Sequence, residues 1–414
     1  MKIGIIGTGI SGLGAAYLLS PHHDITVYEK NAYIGGHSRT IDVVTPSENF
    51  SVDTGFIVFN DWNYPNLMGL FNRLEVPYVK SSMSFGVSID NAWLEYASGE
   101  LLALRNLIKP AYWGMLLDIT KFNKQALQYL ESSPDISLGQ CLDALKMGDW
   151  FKNYYLLAMG AAIWSCPLET ILTFPARTFL QFFKNHGLLS VNKRPQWYTV
   201  RGGSKEYVER LTATYKQQIQ LQCGVVKVRS HKDKVELSDT LGNTTFYDQV
   251  IFACHADEAL SMLADPKQSL KDVIGAFSYQ ENRVVVHCDT SFMPKSKKSW
   301  SSWVYLSDSK QDTKPVVSLS YWMNNLQPIS SAKPVIVTLN PGVSPREELS
   351  YDEHVFSHPV FDSKAIQAQQ HIDSIQGQDG LWFCGAYQRY GFHEDGLLSA
   401  VNIAAKMGVP IPWH

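Results

Sequence analysis

The stretch KIGIIGTGISGLGAAYLLSPHHDITVYE, from Lys2 to Glu29, decides the fold of this chain. Its first five residues form a short apolar segment that predicts a strand, and glycines follow at positions 7, 9 and 12. An Ala-rich segment then predicts a helix, and Ile25 to Tyr28 predicts a second strand that ends on Glu29. Strand, helix and strand with glycines at the first crossover predict a right-handed, parallel β-α-β unit.

The glycines of this unit match the pattern G-x-G-x-x-G, which is typical of dinucleotide binding. The first glycine permits a tight turn, the second lets the backbone approach a pyrophosphate, and the third lets helix and strand pack closely. The N-terminal end of the helix carries a partial positive charge that favours phosphate. A carboxylate at the end of the second strand accepts hydrogen bonds from ribose and repels a 2′-phosphate. The predicted cofactor-binding residues are Gly7, Gly9, Ile10, Ser11, Gly12 and Glu29.

Length, composition and charge exclude several classes of protein. At 414 residues the chain is long enough for two domains, and 45% hydrophobic with 18% charged residues is typical of a packed globular protein. Lys and Arg number 36 against 39 for Asp and Glu, without a basic run, which excludes nucleic acid as a partner. Six cysteines without a C-x-x-C pair, and no apolar run of about 20 residues, predict a cytoplasmic protein with reduced thiols. The sequence predicts no metal site.

The run after Glu29 carries a family resemblance. Lys30 to Thr40, KNAYIGGHSRT, resembles the E-x5–7-GG-(R/H)-xx-T element of the flavin-containing amine oxidase and phytoene desaturase superfamily. In that superfamily the paired glycines let the chain pass beside the FAD phosphates, with a basic residue alongside. The resemblance therefore implies FAD, and it assigns Lys30, Gly36, His37 and Arg39 to the cofactor. Because His37 stands where arginine is commoner, Arg39 is expected to neutralise the phosphates.

Three later segments resemble further flavin elements of the same superfamily. Val52 to Phe56, VDTGF, resembles a D-x-G turn near the flavin edge, and Val225 lies where a strand contacts the adenine. Leu381 to Ala400, LWFCGAYQRYGFHEDGLLSA, resembles the terminal flavin motif, in which a helix N-terminus points at the flavin. The residues implied by these segments are Thr54, Gly55, Phe56, Val225, Gly385, Glu394, Asp395 and Leu397. Glu394 and Asp395 are also interpreted as helix N-capping residues.

Further stretches indicate a narrower group of proteins within this superfamily. They include Ala162 to Pro167, Asn185 to Leu189 and Tyr390 to Gly396. The chain resembles bacterial predicted FAD-binding oxidoreductases and the N-terminal oxidase-like region of plant cyclopropane fatty acid synthases. That resemblance implies a redox step on a lipid. The cysteine that tethers flavin in some amine oxidases is absent, since Cys384 directly precedes Gly385, so FAD is expected to bind non-covalently.

The resemblance also implies an amine oxidase-like fold of the α/β class. A Rossmann-type FAD-binding domain is expected to be interleaved with a mixed α+β substrate domain. The expected bounds are 1–75, 200–265 and 370–414 for the FAD-binding domain, and 76–199 and 266–369 for the substrate domain. Segments 101–130 and 150–185 show helical apolar spacing, the second broken by Pro167 and Pro175.

Three side chains are candidates for catalysis: His393, Tyr387 and Arg283. Arg283 stands where amine oxidases carry a lysine near the flavin, and an arginine does not exchange protons readily. The aromatic cage for an amine is only partly matched, by Tyr387 and Tyr390. Both departures favour a carbon–carbon oxidation over an amine oxidation.

Three functions stay open on the sequence alone. The favoured one is desaturation or oxidation of a methylated or unsaturated long acyl chain. The second is an amine oxidase that releases hydrogen peroxide, and the third is a non-catalytic FAD module that supports a lipid methyltransferase. Leu101 to Leu130 combines apolar and aromatic residues with lysines, which predicts either an interfacial helix at the inner face of a membrane or an ordinary buried amphipathic helix.

Overall fold

The computed structural model describes residues 1–46, 48–101, 104–132, 136–164, 168–189, 194–308 and 316–413. The strands of these residues are β1 (Lys2–Ile6), β2 (Asp24–Tyr28), β3 (Thr40–Val44), β4 (Asn49–Asp53), β5 (Phe59–Asn60), β6 (Tyr78–Lys80), β7 (Phe85–Ile89), β8 (Leu94–Ala97), β9 (Trp197–Val200), β10 (Ile219–Gln220), β11 (Val225–Ser230), β12 (Val235–Asp239), β13 (Thr244–Tyr247), β14 (Gln249–Phe252), β15 (Ser278–His287), β16 (Trp303–Asp308), β17 (Val316–Trp322), β18 (Ile336–Leu339), β19 (Ser350–Val360) and β20 (Leu381–Phe383).

The α-helices of the described residues alternate with these strands. They are α1 (Ile10–Leu19), α2 (Pro65–Arg73), α3 (Leu104–Leu107), α4 (Pro110–Ser132), α5 (Leu138–Ala144), α6 (Asp149–Phe151), α7 (Leu157–Trp164), α8 (Leu168–Leu172), α9 (Ala176–Asn185), α10 (Lys205–Thr212), α11 (Ala256–Met262), α12 (Gln268–Ile274), α13 (Met323–Leu326), α14 (Ser363–Gln369), α15 (Ile372–Ile375) and α16 (His393–Lys406). None of the helices in the described ranges is both long and apolar enough to cross a membrane.

A five-stranded parallel sheet in the order β10-β2-β1-β14-β20 holds the N-terminal unit. β1 lies between β2 and β14, with Ile6 opposite Tyr28 on one side and Phe252 on the other. The central strands are apolar along most of their length because both faces of the sheet are covered, one by helices and the other by β11, β12 and β13 together with helices. Parallel strands end at one edge, so Gly7, Glu29 and the residue after Phe383 meet there, which confirms the predicted Rossmann-type arrangement.

Glycines allow α1 and α16 to cross closely beside this sheet. A Cβ on Gly14 would lie 2.7 Å from Leu397 Cδ1, and a Cβ on Gly396 would lie 2.9 Å from Ile10 Cγ2. Any larger residue would push the two helices apart. The start of α16 is therefore held against the first turn of α1, beside the G-x-G-x-x-G segment.

The second large sheet has seven strands in the order β19-β15-β18-β17-β16-β7-β8, and β16 pairs with β7 in parallel. Helices from α3 to α9 pack beside it around a largely aromatic cluster. The mixed α/β class is thus confirmed. Strands of the parallel sheet come from four separated segments of the chain, whereas the residue bounds expected for the two domains stay a prediction.

The two segments with helical apolar spacing are each interrupted. In the first, α3 ends at Leu107 and α4 begins at Pro110, whose ring is tolerated in a first helical turn. In the second, Pro175 stands at the N-terminus of α9, as predicted. The predicted break at Pro167 lies outside the described residues.

Candidate cofactor and active site

The three glycines after β1 have distinct roles in the structure. Gly7 has a φ of 108°, and a Cβ there would lie 2.7 Å from the carbonyl oxygen of Ala253. A Cβ on Gly12 would lie 2.0 Å from the Gly7 carbonyl oxygen, so the helix packs onto the turn as the pattern predicts. A Cβ on Gly9 would meet no atom within 4 Å, which leaves the backbone open to a ligand. Ile10 and Ser11 are buried in the first turn of α1.

The Glu29 carboxylate is buried at the end of β2 and is organised by its neighbours. Oε2 accepts hydrogen bonds from the Thr8 N–H (3.1 Å) and hydroxyl (2.5 Å), and Oε1 accepts from the Asn31 N–H and side-chain amide at 2.8 Å. The Cys223 N–H donates to the Glu29 carbonyl oxygen at 2.8 Å. Val225 therefore begins its strand beside the carboxylate that was predicted to bind ribose.

The loop that contains the paired glycines, Gly35 and Gly36, lies next to Gly9 and bounds the space that a ligand would occupy. Gly36 has a φ of 57°, and a Cβ there would lie 3.1 Å from Gly9 Cα, so only glycine fits at this close approach. His37 follows, and its Nε2 atom is buried without a hydrogen-bond partner among the described residues. A buried polar atom without a partner calls for a ligand group. The open Gly9 backbone, the Glu29 carboxylate and this imidazole fit the pyrophosphate and ribose of FAD.

Two basic residues assigned to the cofactor have other partners. The Lys30 ammonium pairs with Glu258 on the surface. Both terminal nitrogens of Arg39 contact the Asp352 carboxylate, at 2.7 and 3.1 Å, in a bidentate pair. The Arg39 guanidinium is therefore engaged by a carboxylate from β19, and its expected role at the phosphates stays a prediction. Because Arg39 and Asp352 lie far apart in sequence, the motif could not predict that they pair.

The D-x-G turn is fixed to the paired-glycine loop by its backbone. The Thr54 N–H donates to the Arg39 carbonyl oxygen at 2.9 Å, and the Phe56 N–H donates to the His37 carbonyl oxygen at 2.8 Å. A Cβ on Gly55 would lie 2.3 Å from that same His37 oxygen. The Phe56 ring stacks on His393 with centroids 3.8 Å apart. The turn thus connects the cofactor loop to the first residue of α16.

The acidic residues at the start of α16 act as caps. Glu394 accepts from the backbone N–H groups of Asn66 and Leu67, at 3.0 and 2.9 Å, at the N-terminus of α2. Asp395 accepts from the N–H groups of Tyr390 and Phe392, at 3.2 and 3.0 Å. Burial raises the pKa of each carboxyl to about 6 against the effect of these hydrogen bonds. The structure thus places both side chains in the capping role.

Gly385 and Leu397 position the end of β20 and α16. The Gly385 N–H donates to Ser399 Oγ at 2.9 Å, and a Cβ on Gly385 would lie 2.3 Å from the Tyr387 ring. The Leu397 side chain is fully buried against Gly14. Their part in the site is to hold the N-terminus of α16 at the carboxyl edge of the parallel sheet.

His393 is the candidate catalytic residue that lies inside the site. Its Nε2 atom is 2.6 Å from the Tyr207 hydroxyl and 3.1 Å from Ser38 Oγ. Burial lowers the pKa of His393 to about 3, so the imidazole is neutral near pH 7. A neutral imidazole held by hydroxyl groups can take part in hydrogen bonds without carrying charge, whereas a pKa this low makes it a weak proton acceptor near pH 7.

The other two catalytic candidates lie elsewhere. Tyr387 packs against Phe277, with ring centroids 4.8 Å apart, in the cluster below the parallel sheet. Arg283 pairs with Glu353 through two contacts of 2.7 Å. Because residues alternate across a strand, Arg283 faces away from its neighbour Asn282, whose amide contacts the half-buried His358. These placements give Tyr387 and Arg283 other partners, and their assignment to catalysis stays a prediction.

His358 belongs to a group of half-buried histidines that the sequence analysis missed. His358 lies with its ring centroid 5.3 Å from that of His37, and His255 lies 6.3 Å from His37 on the other side. The Asn282 amide donates to His358 Nδ1 at 2.7 Å. Burial, and the nearby imidazoles, lower the pKa of His37. The signal was present: His255 follows β14 at the carboxyl edge, and His358 shares a strand face with Phe356, which stacks on His37.

An aromatic wall extends from the start of α16 into the helical layer. Phe182 stacks on His186 with centroids 3.8 Å apart and on Phe392 at 5.1 Å, and Trp164 lies 4.7 Å from Phe182. The Nδ1 atom of His186 donates to the Phe182 carbonyl oxygen at 2.9 Å, and burial lowers the pKa of His186 to about 4. The wall is therefore uncharged near neutral pH and continues into the aromatic cluster of the helical layer.

Within the described ranges, no group of three or more His, Cys, Asp or Glu side chains is arranged to hold a metal ion. Cys384 is fully buried, and burial raises the pKa of its thiol. A buried, protonated thiol is a poor nucleophile. Non-covalent attachment of FAD stays a prediction.

Comparison with known proteins gives a family for this site. The family model described as flavin containing amine oxidoreductase matches residues 10–330. Over 98% of both chains, the structure is similar to a CLA-producing fatty acid isomerase from P. acnes, with a TM-score of 0.69 at 14% identity. It is also similar to a putrescine oxidase bound to putrescine, with a TM-score of 0.71 at 13% identity over 99% of this chain and 100% of that one. At these identities the likeness shows the fold.

A relative among sequences is an uncharacterized protein of Methanocaldococcus jannaschii. It is 28% identical over 178 residues, which is 42% of this chain. The match also spans 42% of the relative's own length.

Proposed function

The chain belongs to the flavin containing amine oxidoreductase family, and from this premise we propose that it oxidises or desaturates a long, uncharged acyl chain, methylated or unsaturated. It is an FAD-dependent oxidoreductase of amine oxidase-like fold. The observation that carries the choice of substrate is the aromatic wall of Trp164, Phe182 and Phe392 beside His393. Such a surface binds hydrocarbon through burial of apolar area.

The charge state of this wall supports a neutral substrate. His186 and His393 both have lowered pKa values because they are buried, so neither carries charge near pH 7. A protonated amine would need an anionic partner or a free aromatic face in this environment. The nearest carboxylates, Glu394 and Asp395, are engaged by backbone N–H groups. The carboxylates beside the wall are therefore already engaged and offer little to compensate a buried ammonium group.

The one tyrosine left from the predicted amine cage already has a cation beside it. The guanidinium carbon of Arg389 lies 5.6 Å from the centroid of the Tyr390 ring. A second cation on this ring would meet repulsion from the first. This contact favours an acyl substrate over a polyamine.

Bound FAD supplies the hydride-accepting chemistry of the reaction. The chain's own residues orient the substrate and exclude water. The aromatic wall holds the hydrocarbon, and the neutral His393 imidazole, whose ring Tyr207 holds, provides an uncharged hydrogen-bonding group at the start of α16. The start of α16 directs its backbone N–H groups at the site, which stabilises negative charge there.

The similarity to a fatty acid isomerase is in keeping with this substrate class, although it rests on fold alone. A methylated chain would have to come from a methyl transfer to an unsaturated lipid, so we include a lipid methyltransferase as the partner that supplies the substrate. The non-catalytic module is not carried forward, because the family consists of oxidoreductases.

Mass spectrometry of membrane lipids tests the proposal. Cells that already contain unsaturated and methylated phospholipids are compared with and without the protein, and with a Gly9→Val variant that is designed to lose FAD. We expect acyl chains two mass units lighter, or oxidised, only with the wild-type protein. Unchanged lipids together with peroxide release from putrescine or cyclohexylamine would replace the acyl proposal with the amine oxidase alternative.

A further inference from the structure

We propose that the chain docks on anionic lipid surfaces through an apolar tip at the start of α4. The apolar tip consists of the exposed residues Ile108, Pro110, Ala111, Trp113, Gly114 and Leu117. Ile108 is 81% exposed, Leu117 70% and Trp113 48%. Large apolar side chains scattered singly over a surface are ordinary, but a contiguous group of this kind marks an interaction site.

The apolar tip is held rigidly in its exposed position. The Trp113 indole N–H donates to the Leu107 carbonyl oxygen at 2.8 Å, which fixes the ring across the α3–α4 turn. The turn itself is closed by the Tyr112 N–H on the Lys109 carbonyl oxygen at 3.0 Å. The Asn106 amide donates to the Glu95 carbonyl oxygen at 2.7 Å and ties the turn to β8. These hydrogen bonds therefore hold the α3–α4 turn in a conformation that leaves the apolar side chains of the tip exposed.

A second tryptophan widens the apolar tip. Trp93 is 46% exposed and lies on the turn before β8. The Lys109 ammonium sits 4.6 Å from the centroid of its ring and also donates to the Trp93 carbonyl oxygen. An amphipathic ring beside a cation is a typical residue pair of a membrane interface, where the ring reaches the acyl boundary and the cation meets headgroups.

The charges around the apolar tip select an anionic surface. Among the described residues, no carboxylate pairs with Lys109, and Lys124 is exposed farther along the same helix. Arg105 pairs with the buried carboxylate of Glu95 at 3.0 Å. The acidic residue of this part of α4, Asp118, accepts from the Gly148 N–H at 2.9 Å. Cations at the rim of an apolar patch complement the negative headgroups of a membrane.

The same charges argue against a second copy of the chain as the occupant. Two copies related by a twofold axis would place identical patches face to face. Both copies would then bring their Lys109 side chains into one poorly hydrated contact without a carboxylate of the patch to pair with them, which is unfavourable. A lipid surface meets the apolar side chains and the lysine together.

The inner face of α4 connects the docking surface to the site. Tyr112, Met115 and Phe122 are buried in the cluster that also contains Trp164 and Phe182 of the aromatic wall. Docking would therefore place the membrane at the outer end of the layer in which we propose the acyl chain binds. Docking itself does not depend on that proposal, because the apolar tip and the aromatic wall are different surfaces.

Vesicle co-sedimentation of the FAD-loaded protein tests the inference. Vesicles with fully saturated chains, either neutral phosphatidylcholine or a mixture with phosphatidylglycerol, exclude turnover from the readout. We expect binding to the mixed vesicles at low salt, a loss of more than about tenfold for Ile108→Asp combined with Leu117→Asp, and about fivefold weaker binding for Lys109→Gln. Phe246→Asp is the matched control, since Phe246 is 51% exposed on β13 and is expected to bind as wild type.

Several outcomes would overturn the docking proposal. Wild-type protein that stays in the supernatant with both kinds of vesicle would do so, as would equal losses for the double variant and for Phe246→Asp. A dimer by light scattering that the double variant abolishes, without vesicle binding, would assign the apolar tip to a second copy. Unchanged flavin absorbance confirms that each variant is folded and loaded. Failure of the acyl proposal would leave all of these results unaffected.

Discussion

The Glu394 carboxylate at the start of α16 accepts the backbone N–H of Leu67, with its Oε2 atom 2.9 Å from the Leu67 nitrogen. Oε1 of the same group accepts from the Asn66 backbone and side chain, at 3.0 and 2.7 Å. One buried carboxylate thus joins the first turn of α2 to the helix whose N-terminus faces the cofactor site. The position of α16 depends on a contact between residues more than three hundred positions apart.

Removal of this carboxylate is expected to lower stability. Glu394→Ala leaves two N–H groups at the start of α2 without their acceptor, which costs about 1–2 kcal/mol of unfolding free energy. Urea unfolding of the FAD-free protein measures the change. Glu209→Ala, on the exposed face of α10, is the control and is expected to stay within about 0.5 kcal/mol of wild type. Equal effects of the two changes would mean that the cap contributes nothing.

A substitution at Gly9 is expected to affect FAD binding without affecting folding, because no protein atom lies close to this position. Gly9 has an extended backbone conformation, with φ at −67° and ψ at 175°, and a Cβ there would meet no protein atom within 4 Å. The Gly9→Val variant is therefore expected to fold normally. The added side chain occupies the space through which the pyrophosphate approaches the backbone, and we expect FAD affinity to fall at least about tenfold. Gly99→Val, at another open glycine, is the matched control. Fluorescence titration with FAD would refute the assignment if Gly9→Val bound as tightly as Gly99→Val.

The pair between Arg39 and Asp352 allows a direct choice between a structural and a phosphate-binding role. If the pair is structural, Arg39→Met and Asp352→Asn lower the unfolding free energy by similar amounts. Their double variant then shows a coupling of about 1 kcal/mol. Arg39→Met and Asp352→Asn are then expected to change FAD affinity to a similar extent. A large loss of FAD affinity confined to Arg39→Met would restore the sequence-based assignment to the phosphates.

The buried His186 makes stability depend on pH in a predictable direction. Burial lowers its pKa from 6.5 to about 4, so between these values the unfolded chain takes up a proton that the folded chain resists. Stability is therefore lost as pH falls from 6.5 towards 4. His186→Phe is expected to lessen that loss by about 2 kcal/mol, measured as urea unfolding at pH 7 and pH 4.5. His371→Phe, at an exposed position, serves for comparison and should keep the wild-type pH dependence.

Short sequence patterns were sufficient to predict the parallel β-α-β unit and much of the backbone around the proposed cofactor site. The spacing of Gly7, Gly9 and Gly12 reports backbone constraints that act within a few residues, and the structure shows the close packing that the third glycine permits. Partners from distant segments could not be read in this way. The Asp352 carboxylate that engages Arg39 comes from β19, in a different sheet.

The alternation of side chains along a strand explains the placement of Arg283. The motif match aligned this residue with a lysine beside the flavin, but a strand shows alternate residues to opposite faces. Asn282 points to the half-buried His358, and Arg283 points to Glu353. A motif that fixes the strand does not fix which face the cofactor lies on, since that depends on how the sheets pack.

Anaerobic reduction of the bound flavin tests the central claim most directly. The FAD-loaded protein is mixed, without oxygen, with detergent-dispersed phospholipids that carry unsaturated or methylated acyl chains, and separately with putrescine. We predict that the visible absorbance of oxidised FAD is lost with at least one of the lipids and persists with the amine. Bleaching by putrescine, with no bleaching by any of the lipids, would contradict the account.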